Sequence, residues 1–186
     1  MSARQTTSSR GSATLVLVTL FFGVFVMGCA ELLVVGVLDL IAADLSVSVS
    51  AAGALVTSFA LGIAVGGPAL TMLTMEVDKR TVLIGALVVF LLANVVLVST
   101  SAYGLAIAVR FIAGAVEGLF IGVAFVAGLS IVPPERAGRA ISVIISGVTV
   151  SAAVGVPLAW VLCVGLCLGL LTWVVGFVRL VFVSLG

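Results

Sequence analysis

Histidine is absent from the 186 residues, and charge is scarce: eight Lys and Arg against seven Asp and Glu, a net charge of +1. The shortage of charge excludes a water-facing exterior. A soluble domain carries roughly 25% charged residues because its surface must be hydrated. Here the share is 8%, against 63% hydrophobic residues and a mean hydropathy of +1.52. The missing basic excess excludes a nucleic-acid partner, since no stripe of cations exists to neutralise phosphates. Cysteine is nearly as rare. Cys29, Cys163 and Cys167 lie in apolar stretches and form neither a disulfide framework nor a paired CxxC zinc pattern. The one-turn spacing of Cys163 and Cys167 reads as small-residue packing. With no histidine, no metal-ligand cluster and no nucleophile–base arrangement, an intramembrane enzyme has no support. No metal and no cofactor are expected.

What the chain has in quantity is long apolar runs, so its partner is the lipid bilayer. A hydrocarbon core about 30 Å thick needs ~20 apolar residues at 1.5 Å rise. Six such stretches separate themselves: Thr14–Leu38, Ala52–Met75, Thr81–Ser99, Gly104–Val132, Ala140–Leu162 and Gly165–Ser184. Residues 1–13 then form an amino-terminal tail, and 14–186 form one six-helix transmembrane domain. The first four connections are polar: Asp39 and Asp44 with the Ser46–Ser50 alternation, Glu76 to Arg80, Ser99 to Ser101, and Pro133 to Arg136. The fifth carries only Gly165 and Gly169, which fits a tight apolar hairpin or one long broken helix.

Lys and Arg near span ends stay on the cytoplasmic side. With six spans, one side collects Arg4, Arg10, Lys79, Arg80, Arg136 and Arg139, with Arg179 near the end of the last span, while the other holds Asp39 and Asp44. Both termini are therefore expected in the cytoplasm of a multi-pass cell-membrane protein. Arg4, Arg10 and the run ending Val26-Met27-Gly28-Cys29 also look like a lipoprotein signal. The residues after Glu31 stay apolar, however, and carry the stretch to full spanning length, which a cleavable signal does not need.

An internal repeat links the second and fifth spans: Ala64-Val65-Gly66-Gly67-Pro68 and Ala153-Val154-Gly155-Val156-Pro157 share Ala-Val-Gly-x-Pro. These are matching helices of two three-helix sets with opposite orientation, the pattern of a 3+3 inverted repeat in secondary transporters. Proline bends a helix and glycine admits a neighbouring backbone. Such spans suit helices that rock past each other; plain packing explains them equally.

Two charges fall well inside spans. Glu31 lies in the first and Arg110 in the fourth, with Glu117 seven residues beyond Arg110 on the same helix face. Ionisable groups at bilayer depth cost several kcal/mol unless paired or hydrated, so they are functional candidates. Glu31 stands roughly 7 Å beyond the middle of an outward-running span, and Arg110 roughly 11 Å before the middle of an inward-running one. The two are thus expected at similar height. For such a glutamate, apolar surroundings favour the neutral acid and a neighbouring cation favours the carboxylate. A group balanced this way can take up a proton in one conformation and release it in another; a permanent structural ion pair is the other reading. Glu117 could share the arginine or line the same cavity. Asp39 and Asp44 read as solvated span ends. Thr57, Ser58, Asn94, Ser142, Ser146 and Thr149 face a cavity or serve as packing glue.

On these residues the chain resembles the major facilitator superfamily, in particular its drug:proton antiporter branch of chloramphenicol-resistance and arabinose-efflux-type permeases. Met27-Gly28-Cys29-Ala30-Glu31 through Gly36 to Ile41-Ala42-Ala43-Asp44-Leu45 is similar to that branch's first-span signature. Arg110 to Gly114 with Gly118 matches the family's Arg-x-x-x-Gly. Gly138-Arg139-Ala140, Gly147-Val148-Thr149-Val150 and Gly155-Val156-Pro157-Leu158 look like the antiporter motif of the fifth helix. The loop after the second span keeps Asp78-Lys79-Arg80 and Leu83, but Thr71, Met75 and Asp78 stand where the family pattern has glycine, aspartate and glycine. Ala159 replaces a usual glycine, and the Gly-Trp-Arg before the sixth helix is absent.

The resemblance implies an all-α membrane protein, the amino-terminal half of a twelve-helix fold, exporting small lipophilic compounds such as chloramphenicol-like drugs against a proton flow. It implies Glu31 as proton carrier and Arg110 as its partner, with Glu117, Asp78, Arg80, Gly147, Gly155 and Pro157 as cavity or gating candidates. The expected complement is a carboxy-terminal half or a second copy in a homodimer. A truncated, non-transporting assembly or regulatory partner is the alternative.

Overall fold

The computed structural model describes the backbone of residues 3–155 and the side chains of 13–154. Among these residues the chain is helix joined by short turns. Seven α-helices follow in order: α1 (Ala3–Gly36), α2 (Leu38–Asp44), α3 (Val49–Leu61), α4 (Gly67–Leu73), α5 (Lys79–Ser99), α6 (Tyr103–Ser130) and α7 (Ala137–Val150). A π-helical turn, Gly62–Gly66, joins α3 to α4; a second, Ser151–Gly155, follows α7; and a 3₁₀ turn, Pro134–Arg136, opens it. Helix is what hydrocarbon demands, because each backbone N–H and C=O must be satisfied within its own segment.

Five stretches are long and apolar enough to cross a membrane: Ala13–Gly36, Val49–Leu73, Lys79–Ser99, Tyr103–Ser130 and Pro134–Val154. The first four coincide with the first four expected spans to within a few residues; the fifth differs at its start, and its expected end at Leu162 lies outside the described residues. Helix in the fifth begins at Pro134 instead of Ala140. Pro133 and Pro134 supply the fixed φ that opens a helix, and the exposed Glu135, Arg136 and Arg139 ride on its first turns. The expected sixth span and the connection before it lie outside the described residues, as do Pro157, Cys163 and Cys167. Helix α1 starts at Ala3 and so runs through the stretch read as a tail. Asp39 and Asp44, expected in a loop, stand exposed on the short helix α2, after a break at Val37.

The helix starts are legible in their caps. Ser48 Oγ accepts from Ala51 N at 3.1 Å to open α3, and Asp78 Oδ2 accepts from Thr81 N at 3.3 Å to open α5. Each satisfies a donor that the first turn leaves over. The first π turn has an equally local cause. Pro68 has no N–H to give the Ala64 carbonyl, and its ring would press on that oxygen. The backbone widens, and Gly67 N–H bonds Gly62 O, five residues back. The second π turn stands at the same distance before Pro157 as the first does before Pro68. The repeat read from sequence is therefore a repeat of backbone geometry.

The chain divides into two compact units, one of residues 1–32 with 124–186 and one of 33–123. In the first unit α7 lies against α1. A methyl group at Gly147 would stand 2.7 Å from the Phe21 carbonyl oxygen and 3.1 Å from Phe25 N, so the two backbones touch with no side chain between. Gly28 faces the Ser151 side chain, and Gly128 of α6 faces the side chains of Ile144, Leu17 and Leu20. Leu20, Val24 and Met27, spaced along one face of α1, are fully buried with Ala124 and Ile144. The Phe21 and Phe25 rings stack at 6.2 Å on an adjoining face.

Candidate functional site

The second unit is organised around α6. Tyr103 OH donates to Ala51 O at 2.7 Å, and Ser58 Oγ donates to Ile107 O at 2.9 Å. Further along, Gly114 meets the Phe59 carbonyl, Gly62 meets the Phe111 carbonyl and Gly114, and Gly118 meets Gly67 and Ile63. Gly122 faces Thr71, whose Oγ1 would stand 3.2 Å from an added methyl. Contacts advance together along both helices, so the second and fourth spans run parallel. The four-residue spacing of Gly114, Gly118 and Gly122 puts them on one stripe. Without side chains there, dispersion contacts between the two backbones hold the spans together, as small-residue interfaces do in membranes.

Arg110 continues that stripe one turn before Gly114. Its side chain is 1% exposed, and its guanidinium carbon lies 4.1 Å from the centroid of the Phe59 ring. Phe59, on α3, is itself fully buried. The ring's negative face is set against the cation in a place where water cannot screen the attraction. A planar guanidinium is suited to this stacking, which an ammonium would not reproduce. Glu117, 2% exposed, follows on α6 two turns later on nearly the same face. Arg110 and Glu117 are thus two buried ionisable groups on one helix of one unit.

The remaining expected residues are placed as follows. Glu31 is half-buried on α1 in the first unit. Asp78 is exposed and caps α5, and Arg80 in the next turn is half-buried. Gly147 is the close-approach point of α7 on α1, and Gly155 ends the second π turn. Most of the polar cavity candidates turn back on their own helix. Thr57 donates to Gly53 O, Asn94 Nδ2 to Phe90 O, Ser142 to Gly138 O and Ser146 to Val143 O. Ser58 bonds across to α6 and acts as interhelical glue. Phe59 was not legible as a site residue, because a phenylalanine in a span looks like any lipid or core contact. The glycine spacing on α6 was the available signal that α6 packs closely on a neighbour.

Among the described residues the architecture, helical throughout with five apolar spans and buried charge in the fourth, is that of a multi-pass membrane protein. The chain belongs to the major facilitator superfamily, whose family model matches residues 20–185. It is 34% identical over 151 residues to the MFS-type transporter YtbD of Bacillus subtilis, covering 81% of this chain and 38% of that protein. It is also 34% identical over 131 residues to a chloramphenicol resistance protein of Streptomyces lividans, covering 70% and 33% respectively. A chloramphenicol efflux pump of Mycobacterium tuberculosis is 32% identical over 134 residues, covering 72% and 32%. The chain thus spans about a third of the length of the curated relatives it matches, and forms one half of a major facilitator fold. The family consists of transporters, and a non-transporting assembly partner is not favoured.

Proposed function

We propose that the chain is the amino-terminal half of a proton-coupled exporter of small lipophilic compounds of the chloramphenicol kind, in which Glu31 carries the proton and Arg110 is its charge partner. The observation that supports this reading most is Arg110 itself, an arginine 1% exposed in a membrane-spanning helix and braced by Phe59. Fixing a full charge in hydrocarbon costs several kcal/mol, so its retention calls for a task that an apolar side chain could not perform. The two relatives named for chloramphenicol resistance and efflux supply the substrate class.

In this reading Asp78 and Arg80 gate the cytoplasmic end of the second and third spans, and both termini lie in the cytoplasm of a cell-membrane protein. Gly147, Gly155 and Pro157 let the fifth span rock. The half acts with a second six-helix half, either a carboxy-terminal one or another copy of this chain, since the halves of such transporters are parallel repeats about an axis normal to the membrane. Substituting Glu31→Gln in the intact protein abolishes chloramphenicol export driven by a proton gradient in membrane vesicles. Export at the wild-type rate in that variant discards the assignment of Glu31.

A further inference from the structure

One buried ionisable group, Glu117, has no role in the mechanism just described. A pattern in the sequence gives it a counterpart. Phe25-x2-Gly28-x2-Glu31-x4-Gly36-Val37 recurs as Phe111-x2-Gly114-x2-Glu117-x4-Gly122-Val123, so a shift of 86 positions carries Glu31 onto Glu117. Glycine and valine matches are cheap in so apolar a chain, but the packing repeats as well. The shift from Pro68 to Pro157 is 89 positions, and it carries the first π turn, Gly62–Gly66, onto the second, Ser151–Gly155.

With those two shifts, the contacts inside one unit predict the contacts inside the other. Gly114 seats against Phe59; its counterpart Gly28 seats against Val148, the counterpart of Phe59, whose Cα would be 3.9 Å from a methyl there. Gly62, first residue of its π turn, meets Gly114; Ser151, first residue of the other, meets Gly28. Ser58 Oγ reaches the carbonyl oxygen of Ile107; Gly147, the counterpart of Ser58, lies against the carbonyl oxygen of Phe21, the counterpart of Ile107. Each unit therefore contains the same helix pair. In each, a glutamate stands three residues past the glycine that seats on the π turn.

We infer that Glu117 is a second proton-binding carboxylate of the transport cycle, the repeat counterpart of Glu31. Its function rests on the proton-coupled reading above, whereas the equivalence of the two positions rests on packing alone. The charge surroundings of the pair differ. On the Glu117 side, α3 and α4 carry no ionisable side chain, α5 carries Lys79 and Arg80 in its first turn alone, and α6 adds Tyr103 at its start and Arg110 two turns before Glu117. On the Glu31 side the place of Arg110 is taken by Val24, and α7 contributes only Arg139 in its first turn. The two carboxylates thus stand on one backbone framework whose helices carry different charges. A carboxylate at the same place in each three-helix repeat gives this half two positions at which a proton can be held.

The test uses the intact protein in energised membrane vesicles with chloramphenicol as the probe, comparing wild type, Glu117→Gln, Glu117→Asp and Glu31→Gln. Glu117→Gln is expected to equilibrate chloramphenicol down its gradient but to lose proton-driven accumulation, and Glu117→Asp to restore it. A structural role alone would affect both transport modes together. Wild-type accumulation by Glu117→Gln, alongside its loss in Glu31→Gln, overturns the inference and leaves the parent reading standing. Failure of the wild-type protein to use a proton gradient overturns the parent reading instead. A second measurement needs no variant to fold. A hydrophobic carbodiimide reacts with protonated carboxyls in apolar surroundings, and in the wild-type protein it is expected to modify both Glu31 and Glu117. Modification of Glu31 with Glu117 untouched shows a permanently ionised, structural Glu117 and sinks the proposal.

Discussion

The guanidinium of Arg110 faces the ring of Phe59 at 4.1 Å, across the parallel contact of the second and fourth spans. The relationship ties the buried charge to a neighbouring helix, at the level where Gly114 lets the α3 backbone come within touching distance of α6. A shift of α3 along α6 therefore moves the ring that braces the arginine. Helix packing and charge placement are here one arrangement.

Removing the ring tests that arrangement. Phe59→Leu keeps the apolar volume roughly and loses the π face, and a desolvated cation–π contact is worth about 2 kcal/mol. A lowered thermal unfolding midpoint in detergent is expected for Phe59→Leu. Arg110→Lys is expected to resemble Phe59→Leu. A wild-type midpoint for both would show that the ring contributes nothing to holding the cation.

The glycine stripe makes a steric prediction. An added methyl at Gly118 would lie 2.9 Å from the Gly67 Cα, and one at Gly114 would run into the Phe59 carbonyl. Backbone cannot rotate aside as a flexible side chain can, so Gly114→Ala and Gly118→Ala are each expected to destabilise by about 1–3 kcal/mol, the usual cost of overpacking. Gly53 and Gly104 have open space where a methyl would go. Gly53→Ala is expected to gain about 0.5–1 kcal/mol from reduced backbone entropy in the unfolded chain. Unfolding curves of the variants, measured side by side, separate the two groups.

Pro68 makes a prediction about register. If its ring and missing N–H cause the π turn, Pro68→Ala lets residues 62–68 close into regular α-helix. One residue of a π turn amounts to a rotation of about 100° for everything beyond it. Accessibility of single cysteines placed at the exposed Met72 and Leu73 is expected to shift by one position in the Pro68→Ala background. An unchanged labelling pattern would mean that the close glycine contacts with α6 hold the turn open without the proline.

Asp78 has two candidate tasks, a helix cap and a gate, and they are separable. Asp78→Asn keeps a side-chain oxygen for Thr81 N but removes the charge, whereas Asp78→Ala removes both. Loss of the cap is expected to cost about 1 kcal/mol of stability in Asp78→Ala and little in Asp78→Asn. If the charge gates transport, both variants lose export. Export retained in Asp78→Asn and impaired in Asp78→Ala assigns Asp78 to capping alone.

The sequence by itself determined that this chain lives in a membrane, where its described spans lie, and that Arg110 and Glu117 stand inside one of them. Those conclusions follow from composition along a single helix: hydrocarbon thickness sets the length of an apolar run, and backbone polar groups without water force each run into helix. The sequence also showed the Ala-Val-Gly-x-Pro repeat, because proline acts on its own preceding turn. Local causes leave local signs.

The tertiary structure decided what lies across the gap. Hydropathy does not say that Phe59 faces Arg110, that α3 and α6 run side by side in parallel, or that Gly147 meets the Phe21 carbonyl. Nor does it say that Ser58 reaches across to the Ile107 carbonyl or that Tyr103 reaches that of Ala51. Lipid is as apolar as leucine, so no hydrophobic gradient tells one helix which neighbour to choose. That choice is made by fit between surfaces, a backbone in the space where a side chain is missing and a ring beneath a cation, which only the assembled helices bring into contact.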